Sequence, residues 1–491
     1  MKPSPQQLLC YEAAENDTQS ITVDSVAGSG KTYTLSGMSH RLPGTGIATS
    51  FSKPTVTELG KKMSQSFPAR TMHGSGIDAL KSHFGSVKID QRNDKTYSFV
   101  KNHINKNDLS FQLIQPILNL VDQAQTAGIV PDHHRFLLED TAENWEALAD
   151  QYDITFNSDI LSTARLALAH SNKIALNEHI VSFNDMLYIP LFFPMRIKQH
   201  KTIIVDEAQD LSPIQHALLR KQLRVGGRII AAGDEHQAIY GFRGAMTNSY
   251  EALAQEFNAR RLNLTVSFRC PKAVVDEAKL YVPEIESAPG APQGDVIRHE
   301  EMDISSLPPV ILCRNNAPLI TLALKLFVAG RTVEVAGRDI GAGLRSLTKR
   351  IASGKNSDHM KSSEFYARLT RWAEREMKRK PRSKPRIKDK LAAFKALCEH
   401  HQTLGQVRKH IDSLYIDPNN AKRRSAEYHL TTIHKAKGRE WPEILFLDSF
   451  LLPAKWAEQE WELQQEKNLS YVGITRAQHI LHYCDSERIN L

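Results

Sequence analysis

The sequence predicts an α/β protein with two parallel-sheet domains, and three observations support this prediction. Short apolar runs rich in β-branched residues alternate along the chain with segments of helical character. Several of these runs end in polar or acidic residues, which is typical of parallel strands whose carboxyl ends border a ligand site. The runs form two sets that are far apart in the chain, so we expect two sheets.

The first predicted sheet combines runs from both sides of a long helical stretch. Its strands are predicted at residues 21–23, 47–51, 202–205 and 228–232. A short helix over residues 6–14 precedes the first run, and a second helix begins at Lys31 and should end near Pro43 and Gly44. Residues 75–180 carry no comparable β signal, so we interpret them as a helical insertion.

The second predicted sheet has strands at residues 309–313, 332–335, 444–447 and 480–484. A stretch from about Arg345 to Glu427 interrupts this set, and Pro381 and Pro385 suggest an extended segment in its middle. Two interpretations of its dense positive charge stay open, a solvated linker face and a contact with the phosphate backbone near a duplex. The cations are Arg375, Lys378, Arg379, Lys380, Arg382, Lys384, Arg386, Lys388 and Lys390.

These patterns predict two domains that are each interrupted by an insertion, and the 491 residues are enough for about three separate cores. The predicted boundaries are 1–74 plus 181–265 for the first domain, 75–180 for its helical insertion, 266–344 plus 428–491 for the second domain, and 345–427 for a basic, mostly helical insertion.

Composition narrows the class of protein and its partners. A net charge of +8 and a pI near 9.0 favour polyanionic partners, because basic surfaces attract nucleic acid and release counterions on contact. The five cysteines are far apart, which argues against a disulfide framework or a paired-cysteine metal site. The sequence shows no signal peptide and no apolar run of membrane-spanning length, so we expect a cytoplasmic protein without membrane partners.

A glycine-rich segment after the first predicted strand is the strongest local motif. A strand, a glycine-rich turn and a helix start follow one another here, and this order gathers backbone N–H groups around one point that suits polyphosphate. Lys31 would reach the β- and γ-phosphates, and the Thr32 hydroxyl would bind Mg²⁺. Ser25 stands where the full phosphate-loop pattern has glycine. The predicted nucleotide-binding residues of this segment are Ala27, Gly28, Ser29, Gly30, Lys31 and Thr32.

Two acidic residues end the predicted strand at 202–205. Asp206 would hold Mg²⁺, and Glu207 would act as the general base that polarises the attacking water. The alternative is a helix N-cap with acidic first-turn residues, which explains the composition but not the pairing with an upstream phosphate loop.

A polar and aromatic loop over residues 233–245 follows the strand at 228–232. The amide of Gln237 can sense a γ-phosphate by hydrogen bonding, and Tyr240 and Phe242 can stack on bases. Alternatively, the aromatic rings only pack the loop onto its domain.

With these motifs in this order, the chain resembles the superfamily 1 DNA helicases of the UvrD/Rep/PcrA type, from Gln7 to Ala477. The resemblance implies two RecA-like domains of the P-loop NTPase fold with ATP between them. The matching segments are Ser4-Pro5-Gln6-Gln7, Thr49-Ser50-Phe51-Ser52-Lys53, Thr71-Met72-His73, Ser267-Phe268-Arg269, the run from Thr432 to Trp441 and the run from Leu469 to Ala477.

The resemblance also implies roles for residues in these segments. Gln7 would read adenine, Phe268 would pack on it, and Gly438 and Glu440 would contact the nucleotide. Arg269 would reach the γ-phosphate, and Arg476 would act as an arginine finger. The implied DNA contacts are Phe51, His73, Tyr240, Phe242, Thr432 and His434.

The implied function is an ATP- and Mg²⁺-dependent translocase and helicase that moves 3′-to-5′ on single-stranded DNA. Its expected partners are single-stranded DNA and single-strand/duplex junctions, and it is expected to act as a monomer. Both insertions are short for the family, which leaves open a translocase that strips proteins and unwinds weakly. An RNA-directed motor and an ATP-gated clamp without turnover are further alternatives.

Overall fold

The structure is a computed structural model that divides at Leu264 and Thr265 into two compact units. It describes residues 2–50, 52–107, 109–152, 154–239, 241, 249–336, 338–354, 356–379, 384–414 and 426–490. Within this part of the chain, no helix is both long enough and apolar enough to cross a membrane.

The first unit is built around a five-stranded parallel sheet with the order β2-β5-β6-β1-β7. It contains all four runs predicted for the first set, together with an additional edge strand, β7. A separate two-residue pair, β3 and β4, joins the two ends of the helical stretch. The strands are β1 (Ile21–Ser25), β2 (Gly46–Ser50), β3 (Lys88–Ile89), β4 (Ile180–Val181), β5 (His200–Asp206), β6 (Leu223–Gly233) and β7 (Arg260–Leu264).

The central strands of this sheet are buried on both faces near the carboxyl edge, and alternate residues enter different cores. Ile203 and Val205 of β5 pack into one hydrophobic cluster, whereas Ile204 between them packs into a second cluster. Continuous apolar runs are therefore required in the central strands, which is why the sequence pattern identified them.

Eleven helices are described in the first unit. The helix that starts at Lys31 ends at Ser39, earlier than predicted, because the chain turns before Gly44, which has a left-handed φ of 81°. The helices are α1 (Pro5–Asn16), α2 (Lys31–Ser39), α3 (Lys53–Lys62), α4 (Met72–Phe84), α5 (Asp94–Lys106), α6 (Ile114–Ala127), α7 (Ala142–Gln151), α8 (Ser158–Asn177), α9 (Asp185–Phe192), α10 (Pro213–Gln222) and α11 (Ser249–Glu256).

The second unit contains a six-stranded parallel sheet with the order β10-β16-β15-β12-β14-β13. Short pairs form between β8 and β9 and between β11 and β17. The strands are β8 (Val266–Ser267), β9 (Glu286–Ser287), β10 (Asp295–Arg298), β11 (Met302–Asp303), β12 (Val310–Cys313), β13 (Val333–Val335), β14 (Tyr428–Thr432), β15 (Trp441–Leu447), β16 (Ala477–Cys484) and β17 (Ile489–Asn490). Two parallel-sheet units confirm the predicted fold class.

Four helices occupy most of the interval between β13 and β14. Pro385 lies in the first turn of one of them rather than in an extended segment, because proline has no N–H to lose at that position. Pro381 lies outside the described residues. The helices of this unit are α12 (Lys272–Ala278), α13 (Asn316–Val328), α14 (Arg338–Ile351), α15 (Ser362–Arg379), α16 (Lys384–Glu399), α17 (Leu404–Leu414), α18 (Ile433–Ala436) and α19 (Glu460–Ile474).

The register of the first sheet explains where a site can form. Ser50 pairs with Asp206, Asp206 pairs with Ala232, and Asp24 pairs with Gly233. The carboxyl ends of four parallel strands therefore meet at one edge, and the residues that follow them share a small volume.

Helix α4 approaches α9 closely at Gly76, where an added Cβ would lie 1.7 Å from the backbone oxygen of Met186. We expect Gly76→Ala to lower the free energy of unfolding by about 1–3 kcal/mol or more, because one of the two helices must shift. Urea denaturation of the full chain measures this change.

Gly60 of α3 is a matched control, since its added Cβ would lie 3.6 Å from the Cβ of Ala69. We expect Gly60→Ala to raise the free energy of unfolding by about 0.4–1 kcal/mol through a less flexible unfolded chain. Equal stability of the two variants would contradict the close approach of α4 and α9.

Candidate nucleotide-binding site

The loop between β1 and α2 has the conformation of a phosphate-binding turn. Gly28 and Gly30 have φ angles of 77° and 81°, in the left-handed region that favours glycine. Ser25 does not disturb this loop, because its hydroxyl donates a hydrogen bond to the backbone oxygen of Gly233 and joins the ends of β1 and β6. The Ser29 hydroxyl is buried and has no hydrogen-bond partner among the described residues, so a polar ligand would satisfy it.

Gln7 is held against this loop by its position at the start of α1. Its amide oxygen accepts a hydrogen bond of 2.9 Å from the backbone N–H of Ser4, and its backbone N–H donates to the Ser4 hydroxyl in a capping box. Its amide nitrogen lies 3.4 Å from the backbone oxygen of Ser29. Gln7 therefore lies beside the loop, and its contact with adenine stays a prediction.

The structure brings four predicted site residues together at the carboxyl edge of the first sheet. Lys31 Nζ lies 3.2 Å from Glu207 Oε2, and Thr32 Oγ1 lies 3.0 Å from Asp206 Oδ2. Glu207 has a φ of 57°, which directs the chain sharply away from the end of β5. This arrangement places a cation, a hydroxyl and two carboxylates around the phosphate loop.

The charged groups in this cluster shift one another's pKa values. Burial alone would lower the pKa of Lys31, but Glu207, Asp234 and Asp206 together raise it. Burial and the neighbouring Glu207 raise the pKa of Asp206, against the opposing effects of Lys31 and Thr32. Burial also raises the pKa of Asp234. The cluster therefore has more carboxylates than cations, and a bound cation would offset the repulsion among them.

This donor set fits Mg²⁺. Thr32 and Asp206 offer a hydroxyl and a carboxylate oxygen, which are the hard ligands that Mg²⁺ selects. Within the described part of the chain, no group of three or more His, Cys, Asp or Glu side chains is arranged to hold a metal. The remaining ligands would therefore be water and phosphate oxygens, as is usual for Mg²⁺.

A hydrogen-bond network that the sequence did not reveal supports this cluster. Gln209 donates to Glu207 Oε2 through its amide nitrogen and accepts from the backbone N–H of Asp234 through its amide oxygen. Gln237 donates in turn to Asp234 Oδ2. The predicted γ-phosphate sensor is thus linked to the predicted general base through two intermediate residues, Asp234 and Gln209. The sequence indicated Asp234 as a site residue, because it follows an apolar strand. For Gln209 the only indication was its position in the acidic segment after β5.

In the second unit, the two predicted arginines lie close to each other. Arg269 forms an ion pair with Glu440, and its Nη1 lies 3.5 Å from the backbone oxygen of Thr475. Arg476 is buried and donates to the backbone oxygens of Val472 and Arg439 at 2.9 and 3.1 Å. Burial, and then repulsion from Arg269, lowers the pKa of Arg476 to about 10, so it stays charged at neutral pH.

The other predicted residues of the second unit lie on three of its segments. Phe268 precedes Arg269 and is 38% exposed. Gly438 lies two residues before Glu440 with a left-handed φ of 80°. Thr432 is the buried N-cap of α18, and His434 lies within that short helix.

The predicted DNA contacts of the first unit are described only in part, because Phe51, Tyr240 and Phe242 lie outside the described residues. His73 near the start of α4 stacks on Phe183, with ring centroids 3.8 Å apart. Burial lowers the pKa of His73 to about 4, so its ring is neutral at physiological pH. Phe183 itself is 59% exposed and offers an aromatic face to solvent; the sequence analysis missed it.

A glycine-rich loop, a helix start and two carboxylates at the edge of a parallel sheet define a P-loop protein of the α/β class. Sequence comparison then identifies the family. The model of the UvrD/REP helicase N-terminal domain matches residues 9–258, and that of the UvrD-like helicase C-terminal domain matches residues 250–486. This chain belongs to the UvrD/REP helicase family.

Curated relatives of this chain are helicases of moderate similarity. F-box DNA helicase protein 1 of Schizosaccharomyces pombe is 24% identical over 96% of this chain and 56% of its own length. DNA helicase II of Escherichia coli is 21% identical over 55% of this chain and 39% of its own length. ATP-dependent DNA helicase Rep of the same organism is 23% identical over 55% of this chain and 42% of its own length. The chain thus spans about half the length of these relatives, or less.

The charge balance of the cluster predicts a pH-dependent loss of stability in Lys31→Met without nucleotide. At about pH 8 we expect the free energy of unfolding to fall by about 1–3 kcal/mol, because the carboxylates of Glu207, Asp206 and Asp234 lose their nearby hydrogen-bonding cation. The pKa of Asp206 is already raised and would rise further, so proton uptake stabilises the variant more than the wild type as pH falls. The difference should shrink at about pH 5.

Urea denaturation at the two pH values tests this expectation. Lys62→Met is the control, because Lys62 pairs with Glu58 on an exposed helix face and should show a small, nearly pH-independent effect. A loss in Lys31→Met that is equal at both pH values would contradict the electrostatic account.

Proposed function

We propose that this chain is an ATP-dependent motor that moves 3′-to-5′ along single-stranded DNA and unwinds duplex DNA. The observation that carries the proposal is the cluster of Lys31, Thr32, Asp206 and Glu207 at the carboxyl edge of the first sheet. Membership of the UvrD/REP helicase family supports both the reaction and the DNA substrate. The direction of movement follows from the resemblance of the loop at 233–245 to that of the 3′-to-5′ branch.

Each group of the cluster has a distinct task in this proposal. Lys31 and the loop N–H groups bind the phosphates, and Glu207 polarises the attacking water. Thr32 and Asp206 would hold Mg²⁺, which supplies positive charge to the phosphate oxygens when bound. Gln209 orients the Glu207 carboxylate by hydrogen bonding, so the base is positioned before substrate arrives.

The arginine pair of the second unit would supply the positive charge that phosphoryl transfer requires. Arg269 is engaged by Glu440, and Arg476 by backbone oxygens, so both guanidinium groups are held in place by protein acceptors. A phosphate that binds Arg269 through the N–H group facing Glu440 would replace the Glu440 carboxylate. This exchange gives the proposed motor a way to link nucleotide occupancy to a rearrangement within the second unit.

We further propose that the two helical intervals are insertions with the boundaries 75–180 and 345–427. Helices α4–α8 fill most of the first interval and α14–α17 most of the second. Domains of 1–74 plus 181–265 and of 266–344 plus 428–491 would then carry the two sheets.

The decisive experiment measures steady-state ATP hydrolysis by the full chain without nucleic acid, with single-stranded DNA and with single-stranded RNA of matched sequence. Strong stimulation by DNA alone is expected. Duplexes with 3′ or 5′ tails then test direction, with unwinding expected only from a 3′ tail. Stimulation by RNA instead would favour an RNA-directed motor, and stimulated hydrolysis without strand separation would favour a protein-stripping translocase.

The general-base role of Glu207 predicts separate effects on binding and turnover. Glu207→Gln should retain ATP affinity but lose hydrolysis by about 100-fold or more, because the amide cannot accept the water proton. Lys31→Ala should lose hydrolysis through weakened phosphate binding. Titration with a fluorescent ATP analogue and a phosphate-release assay measure the two quantities, and a Glu207→Gln variant without nucleotide affinity would contradict the assignment.

The stacked pair of His73 and Phe183 predicts a contribution to strand binding. Phe183→Ala should weaken the binding of single-stranded DNA by about 1–3 kcal/mol, the usual value of one base stacked on an aromatic ring. Phe111 is the control because it is a phenylalanine of the same unit with a similar exposure of 60%, and it stacks on no ring in the described part of the chain. Fluorescence anisotropy with a labelled oligonucleotide compares the variants, and equal affinities would remove Phe183 from the strand path.

A further inference from the structure

The helical interval of the second unit contains a basic groove that the nucleotide cluster and the predicted strand contacts do not use. It lies between the end of α14 and the middle of α15 and has a volume of about 640 Å³. This is the size of a site that accommodates one small ligand or one nucleotide unit. Its lining residues are Arg350, Ile351, Arg368, Arg371, Trp372, Glu374 and Arg375.

The groove is strongly positive. Among the described lining residues, four are arginines and one, Glu374, is acidic. Arg368 also donates to Glu364 at the exposed rim, but a pair of this kind is weak and leaves the guanidinium able to reorient. Because arginine stays charged at every physiological pH, the groove attracts anions under all relevant conditions.

Helix geometry aligns the basic side chains on one face. Arg368, Arg371, Trp372 and Arg375 follow the spacing i, i+3, i+4 and i+7, which places them on a single face of α15. With a rise of 1.5 Å per residue, the arginines extend over about 10 Å. Each of the three arginines on this face can meet one phosphate, so the stripe can make up to about three phosphate contacts with a flexible strand.

Trp372 gives the groove an aromatic surface as well as charge. Its indole lies beneath the Arg350 guanidinium, whose central carbon is 5.8 Å from the ring centroid. The indole N–H is buried and has no hydrogen-bond partner within the described part of the chain. This N–H has almost no exposed surface, so the indole would meet a ligand through its ring and not through the N–H.

We propose that this groove is a second binding site for single-stranded nucleic acid, with phosphates on the arginine stripe and an unpaired base against Trp372. A positive groove with an aromatic ring is the usual construction of sequence-tolerant single-strand sites. Duplex DNA fits it less well, since its bases are stacked inside the helix and cannot reach the indole. The inference deepens the proposed function and rests on it for the choice of nucleic acid.

The charge term is tested with the full chain, without nucleotide, by anisotropy of a fluorescein-labelled 20-nucleotide oligo-dT over a range of salt concentrations. Arg368, Arg371 and Arg375 are replaced together by alanine. A control replaces Arg331, Lys395 and Lys409, which are cations of the same unit outside the groove. Only the groove variant should lose about 2 from the slope of log affinity against log salt, since each phosphate contact contributes about 0.7.

The aromatic term is tested by Trp372→Leu, which keeps the charge, and by Trp372→Phe, which keeps a stacking face. We expect the leucine variant to lose between about 5-fold and 150-fold in affinity for oligo-dT, and the phenylalanine variant to retain most of it. A 4-thiothymidine oligonucleotide should also crosslink to the segment 350–375, as mapped by mass spectrometry. Crosslinking reports the contact even if Trp372 variants fold poorly.

Outcomes for the groove and for the proposed function are separable when ATP hydrolysis is measured in parallel. If DNA stimulates hydrolysis, but the groove and control variants show the same salt slope and no crosslink forms, the groove proposal is wrong and the proposed motor function stands. If only the groove variant changes the salt slope, but DNA does not stimulate hydrolysis, the groove proposal stands and the proposed motor function is wrong. The single-strand assignment would be wrong if the triple arginine replacement weakened the binding of a 20-base-pair duplex as much as that of oligo-dT and Trp372→Leu had no effect. It would also be wrong if polyglutamate displaced oligo-dT at equal charge.

Discussion

The first unit depends on a balance of charge at the edge of its sheet. Parallel strands bring their carboxyl ends together, and here Asp206 is the last residue of β5, while Glu207 and Asp234 directly follow β5 and β6. Asp206 and Asp234 are buried, so their charges are expensive to maintain without a partner. Lys31 compensates part of this charge from the adjacent phosphate loop. The excess of negative charge lowers the stability of the folded state, and it also favours the binding of a divalent cation.

Hydrogen bonds around the cluster limit how far its members can move. Ser25 joins the end of β1 to that of β6, and Gln209 connects Glu207 to the backbone of Asp234. The polar groups are thus oriented by the fold rather than by a ligand, which lowers the reorganisation that a reaction would require. In the second unit, Glu440 and the backbone acceptors of Arg476 hold the arginine pair in a comparable way.

Sequence reasoning identified the sheets and the phosphate cluster because these signals are local. Buried parallel strands need continuous apolar runs, and Lys31 with Thr32 follows a glycine turn at fixed spacing. Contacts between distant segments gave no such signal, so Phe183 was missed although it stacks on His73. Pro385 was misinterpreted because proline is compatible with both an extended segment and the first turn of a helix. The arginines of the basic groove were readable in principle from their spacing on α15, but only its contact with α14 shows that they line a concave surface.

The backbone at Glu207 carries a further consequence. A φ of 57° is uncommon for a residue with a long side chain and costs on the order of 1–3 kcal/mol, whereas glycine adopts it without strain. Glycine at this position would also remove one of the crowded negative charges. Thermal stability and the carboxylate are therefore in conflict here. A laboratory evolution experiment that rewarded heat resistance alone would drift towards glycine at position 207, whereas one that also selected for the role proposed for Glu207 would retain the strained glutamate and gain its stability elsewhere.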